Sequence, residues 1–114
     1  MSNSHYDPAN RPSFFEIELK RALEEQSFGI TNAEVVNSSG LDATALITLL
    51  EGAVLEVVLF RSGYRVLREP AGEHPPSHHA TVYETIEDLL SAHSPEYVAK
   101  KHETLFAKLD QVNR

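Results

Sequence analysis

Between residues 33 and 69 the apolar side chains recur with a period of two, whereas on either side they recur about every 3.6 residues. A segment patterned for one period cannot bury its apolar face in the other geometry, so the switch calls for a sheet flanked by helices. Residues 33–36 form a short candidate strand, closed by Asn37-Ser38-Ser39-Gly40, a run of turn formers. Residues 42–50 and 54–60 are longer and aliphatic, with Glu51-Gly52 as the hairpin turn between them. Leu55, Val57 and Leu59 then share one face, while Val54, Glu56, Val58 and Phe60 share the other, whose mixed character predicts partial cover. Ser62-Gly63 turns the chain into residues 64–69, where Tyr64 and Val66 oppose Arg65 and Leu67. Consecutive hairpins of this kind make an antiparallel meander.

The flanking segments carry helix punctuation. Ser13 followed by Glu16 fits a capping box, and Phe15, Leu19, Ala22 and Leu23 recur at helical spacing, predicting a first helix over residues 14–27. Gly29 is placed to end it in the left-handed conformation. After the meander, Pro70, Gly72, Pro75 and Pro76 stop strand pairing and predict a surface loop. Val82, Ile86, Leu89 and Leu90 then predict a helix ending near His93. Ser94 is a good N-cap, Pro95 suits the first helical position because its missing N–H costs nothing there, and Glu96 favours the positive end of the helix dipole. The last helix should run from residue 95 to about 111. The fold expected is α+β: an N-terminal helix, an antiparallel meander of about four strands, and two C-terminal helices packed on one face. At 114 residues there is room for one core, so residues 13–114 read as a single domain. Residues 1–12, polar and holding Pro8 and Pro12, read as a flexible lead-in.

Charge and motif content narrow the function. Against 10 basic residues the chain has 17 acidic ones, a net charge of −7 that disfavours nucleic acid and anionic membranes and favours a protein partner. There is no cysteine, and the first residues show neither a basic nor an apolar signal region, so the cytoplasm is the expected location. His74, His78 and His79 cluster in the proline-rich loop, but no carboxylate or cysteine at a ligand spacing accompanies them, and a metal-free loop is expected. No nucleophile elbow, phosphate-binding loop or dinucleotide fingerprint occurs, and the pairs Glu24-Glu25 and Glu87-Asp88 fall on polar helix faces. A non-enzymatic protein without a cofactor follows from these readings.

The last helix carries the strongest functional signal. Val98, Leu105, Leu109 and Val112 line one stripe with Phe106 beside it, and Lys100, Glu103, Lys108 and Asp110 lie off it. Its first turns are expected to lock the domain together. Leu109 and Val112 sit where burial within the domain is harder to secure, so a partner groove is the alternative destination for that end.

Thr81-Val82-Tyr83, then Ser94-Pro95-Glu96-Tyr97, then Leu105 with Lys108-Leu109-Asp110 resemble the C-terminal signature of the GSKIP family, named for the interaction protein of glycogen synthase kinase-3. The likeness extends through residues 55–59 and 63–67, similar to the family's paired strands around a turn glycine. It implies a small α+β domain without catalytic activity that binds a kinase through its C-terminal helix, inhibiting or scaffolding it. On this resemblance Leu105 and Leu109 are the kinase-contacting leucines, Lys108 stands for a basic arginine at the rim, and Phe106 and Val112 add apolar area. The pattern departs at Lys101, where the vertebrate kinase-binding helix has phenylalanine. Vertebrate members also anchor the protein kinase A regulatory subunit through an N-terminal helix. The matching region here is residues 14–28, whose sparse stripe reads instead as closing the domain's own core. A different use of the molecule is a protein-binding or dimerisation surface on the sheet face bearing Val54, Val58 and Phe60.

Overall fold

The computed structural model describes residues 12–69 and 81–112, the last two as backbone only. Helix α1 (Phe14–Glu25) begins where Ser13 Oγ accepts the Glu16 N–H at 3.0 Å. The Glu16 carboxylate does not complete the expected box: Ser38 Oγ donates to it at 2.8 Å and Lys20 Nζ lies 3.1 Å away, so it ties the helix to the end of the first strand. Leu19 and Leu23 are buried and Phe15 and Ala22 pack partly against the core, so the apolar stripe of α1 is turned onto its own sheet. Burying each of those leucines contributes about 1.5–3 kcal/mol.

A 3-10 turn (Ser27–Gly29) leads into the sheet, whose strands β1 (Ile30–Ser38), β2 (Asp42–Leu49), β3 (Val54–Phe60) and β4 (Gly63–Arg68) lie in the order β1-β2-β3-β4, all antiparallel. This is the expected meander, with β1 longer than the predicted 33–36. Its extra residues do not show alternation because register shifts between Ile30 and Asn32 and between Val35 and Asn37 break the period at both ends.

The inner face of the sheet carries Ala43, Ala45, Ile47, Leu49, Leu55, Val57, Leu59, Tyr64 and Val66, which form one core with α1 and the C-terminal helices. On the outer face Val58 is nonetheless buried, paired with Thr44 and Arg65, and the Arg65 guanidinium lies 5.3 Å from the Phe60 ring centroid. The partial cover expected on that face therefore comes from neighbouring strand side chains. The His74, His78 and His79 reading, the proline loop and the lead-in up to residue 11 lie outside the described residues.

Helix α2 (Ile86–His93) starts four residues later than Val82 suggests. Tyr83 is occupied in a two-bond bridge with Tyr64, each N–H reaching the other's carbonyl at 2.8 Å, and Thr85 is the cap, accepting the Asp88 N–H at 3.0 Å. Gly63 permits that bridge: its φ is +134°, and a Cβ there would lie 2.3 Å from the Tyr83 carbonyl oxygen. Helix α3 (Pro95–Val112) closes the described chain. Among the described residues no helix is long and apolar enough to cross a membrane.

Candidate functional site

The two ends of α3 differ in kind. At its root, Ser94 is completely buried and every polar group it has is used. Its N–H donates to Leu90 O at 2.8 Å, its carbonyl accepts from Val98 N at 3.3 Å, and its Oγ accepts from Tyr97 N at 3.0 Å while donating to Glu51 Oε1 at 2.7 Å. The second Glu51 oxygen accepts the Glu96 N–H at 2.8 Å. A carboxylate from the β2–β3 turn thus sits on the positive end of the α3 dipole and satisfies a backbone donor the helix cannot. Desolvation pushes the Glu51 carboxyl up, but the bonds from the Glu96 N–H, Ser94 and its own backbone N–H outweigh it, and the group titrates below its ordinary value.

One turn on, Tyr97 is fully buried. Its hydroxyl donates to Gln26 Oε1 at 2.6 Å, and its ring packs beside Phe28 with centroids 5.7 Å apart. Desolvation, with Glu87 and Asp88 adding to it, raises the hydroxyl to about 12. Gly29 lies beneath the ring, where a Cβ would come within 2.5 Å of Tyr97 Cδ1. This corrects the expected role of Gly29: its φ is not positive, and what it supplies is room for the tyrosine. Val98 packs against the core, and Lys101 Nζ reaches Glu87 of α2 at 3.9 Å. Where the resemblance departs from a phenylalanine, this chain has a charge directed to its own α2.

Beyond Thr104 the helix leaves the domain. Leu105, Phe106 and Leu109 are 53%, 69% and 49% exposed, although an apolar helix face ordinarily seeks cover. Leu105 follows Val98 by two turns on the same line, so the stripe that packs inward at the root runs outward along the tip. Lys108 is exposed beside it and has no ion pair among the described residues. Val112 lies in the last described turn as backbone only. The structure therefore brings Leu105, Phe106, Lys108 and Leu109 together on one projecting segment.

Sequence reasoning identified Ser94 and Pro95 as a helix start but missed Glu51 and Gln26, which reach the helix from 43 and 71 residues away. No local signal marks such partners. A second polar chain was also missed: the Tyr83 hydroxyl lies 3.4 Å from His93 Nε2, and His93 Nδ1 lies 3.5 Å from Glu69 Oε1. The residue types suit acid–base chemistry, yet the His93 and Glu69 side chains are 1% and 4% exposed, so the chain ties the residue that follows β4 to the end of α2 inside the molecule.

Residues 15–112 of the chain match the GSKIP domain. No curated protein matches it.

Proposed function

The chain belongs to the GSKIP domain family, and from that premise we propose that it is a non-enzymatic cytoplasmic adaptor presenting the end of α3 to a hydrophobic groove on a glycogen synthase kinase-3-like protein kinase. The single observation that carries this reading is the exposure of Leu105, Phe106 and Leu109 on a helix whose root is fixed by Glu51, Ser94 and Tyr97. A helix already formed and held pays little ordering entropy when it docks, and that favours helix-in-groove binding. Leu105 and Leu109, one turn apart, act as anchors. Phe106 and Val112 widen the apolar contact, and Lys108 makes polar contacts at the rim, where a charge contributes more to association rate than to affinity.

The other uses considered have weaker support. Protein kinase A anchoring through α1 would need a stripe that Leu19 and Leu23 already commit to the core. The outer sheet face exposes Leu46, Val54 and Leu67 by less than half each, interrupts them with Glu56 and Arg65, and keeps Val58 buried and Phe60 beneath Arg65, whereas Leu105 and Phe106 are more than half exposed.

Kinase recovery on immobilised wild-type protein, compared with Leu109→Pro and with the Leu105→Ala, Leu109→Ala pair, tests the proposal. Proline breaks the last turns as well as removing an anchor. Loss of one buried anchor of this kind costs about 2 kcal/mol, more than tenfold in affinity. Equal recovery by all three proteins would end the idea.

A further inference from the structure

We infer that the outer edge of β1, with the groove between it and α1, takes an extended basic–apolar peptide segment of another protein by strand addition. The sheet has two edges, and they are not alike. That of β4 is engaged at Tyr64 by the Tyr83 bridge, whereas the outer edge of β1 has no strand partner among the described residues. Natural edges are commonly blunted by charged side chains, proline, bulges or very short length. β1 runs for nine residues, contains neither lysine nor proline, has Glu34 as its one charge, and confines its two register shifts to its ends, leaving Asn32 to Val35 in regular pairing. Alternate residues of that stretch direct their N–H and C=O groups away from β2, which is the template an incoming strand needs.

Beside this edge lies a groove of about 430 Å³ floored by Leu23, Ile30, Ala33 and Val35, with Lys20 and Glu24 on its α1 side. Ala33 and Val35 are half-buried toward α1, paired with the inward Ile47 and Ala45, while Asn32 and Glu34 are exposed on the opposite face. A strand laid along β1 would alternate in the same way. Every second side chain would enter the apolar groove, and the intervening ones would pass Glu34.

Charge selects the occupant. The Lys20 ammonium is held by Glu16 at 3.1 Å, whereas Glu24 and Glu34 have no ion pair among the described residues. The site is therefore acidic on a chain of net charge −7, and it complements lysine or arginine between apolar residues. A second copy of this chain is disfavoured: antiparallel pairing of two β1 strands about their centre sets Glu34 against Glu34, and like charges directly opposed destabilise a ladder. This site is separate from the tip of α3, so its failure would leave the kinase reading untouched.

The test uses the whole chain, isotope-labelled, titrated in about 0.15 M salt, where long-range attraction is screened. The probe is an end-capped peptide, Lys-Val-Lys-Val-Lys-Val-Lys. Saturable shifts should map to Ile30–Ser38 and to Lys20, Leu23 and Glu24. Glu34→Lys, at an exposed position, should weaken binding roughly tenfold. Methylating the peptide's backbone nitrogens on alternate residues should abolish binding in one phase and spare it in the other, since only one set donates to the edge. Three results would overturn the inference: shifts confined to other surfaces, equal binding by both methylation phases, or a dimeric chain whose β1 amides are protected without peptide.

Discussion

Tyr97 is the residue on which the seating of α3 turns, and its environment sets two expectations. Tyr97→Phe keeps the ring against Phe28 but leaves Gln26 Oε1 without its donor in a buried site, which should cost about 1–3 kcal/mol in a denaturant titration. Because burial raises the hydroxyl to about 12, the unfolded chain gives up its proton first as the solution is made alkaline. The contribution of Tyr97 is thus complete below the ordinary value of 10 and is lost as pH rises from there to about 12, and melts in that range should show wild type approaching Tyr97→Phe. Gly29→Ala should destabilise by about 1–3 kcal/mol through overpacking against the Tyr97 ring, although the backbone angle there suits any residue. The Ser94-Pro95-Glu96-Tyr97 run was legible as a helix start. That Tyr97 would be interior was not, since burial depends on Gln26, Phe28 and Gly29 arriving from the end of α1 and the turn after it, a stretch that begins 71 positions earlier in the chain.

Among the elements, α3 combines a fixed root with a free tip, and the two ends should respond differently to substitution. Glu51→Ala removes the carboxylate that accepts from Ser94 and Glu96, and a lost helix cap costs about 1 kcal/mol. The Glu51 carboxyl titrates below its ordinary 4.5, so its contribution is present above that pH and is lost as the solution is acidified through the lowered value. Glu16, lowered by the Ser38 hydroxyl and by Lys20, titrates in the same direction. Comparing wild type with Glu51→Gln isolates the share that belongs to Glu51: the gap in melting temperature should be open at neutral pH and close on acidification below 4.5. At the tip, Leu105→Ala and Leu109→Ala should each change stability by no more than about 0.5 kcal/mol while weakening kinase binding more than about tenfold, because half-exposed side chains contribute little to the folded domain. A large loss of stability in either variant would mean that the tip packs on its own domain.

For the molecule as a whole, one layer of helices covers one face of a four-stranded sheet, and the second half of α3 projects from that layer. A chain ending after Thr104 should therefore unfold in a single transition close to that of the full-length protein yet fail to retain the kinase, and calorimetry alongside the binding assay checks both halves of the statement. The elements themselves were readable in the sequence: the change from a period of 3.6 to one of two located the strands, Gly52 and Gly63 marked their turns, and Ser13 and Ser94 marked helix starts. These are near-neighbour properties, decided by which face each side chain takes and by backbone freedom within a few residues. The helices α1 and α3 present the same amphipathic pattern, however, and nothing local separates the stripe that Leu19 and Leu23 bury from the one that Leu105 and Leu109 leave in solvent. Only the tertiary structure decided that difference. Whether a face is covered depends on where distant elements end, and the contacts that seat the root of α3 and leave its tip beyond them join residues 43 and 71 positions apart.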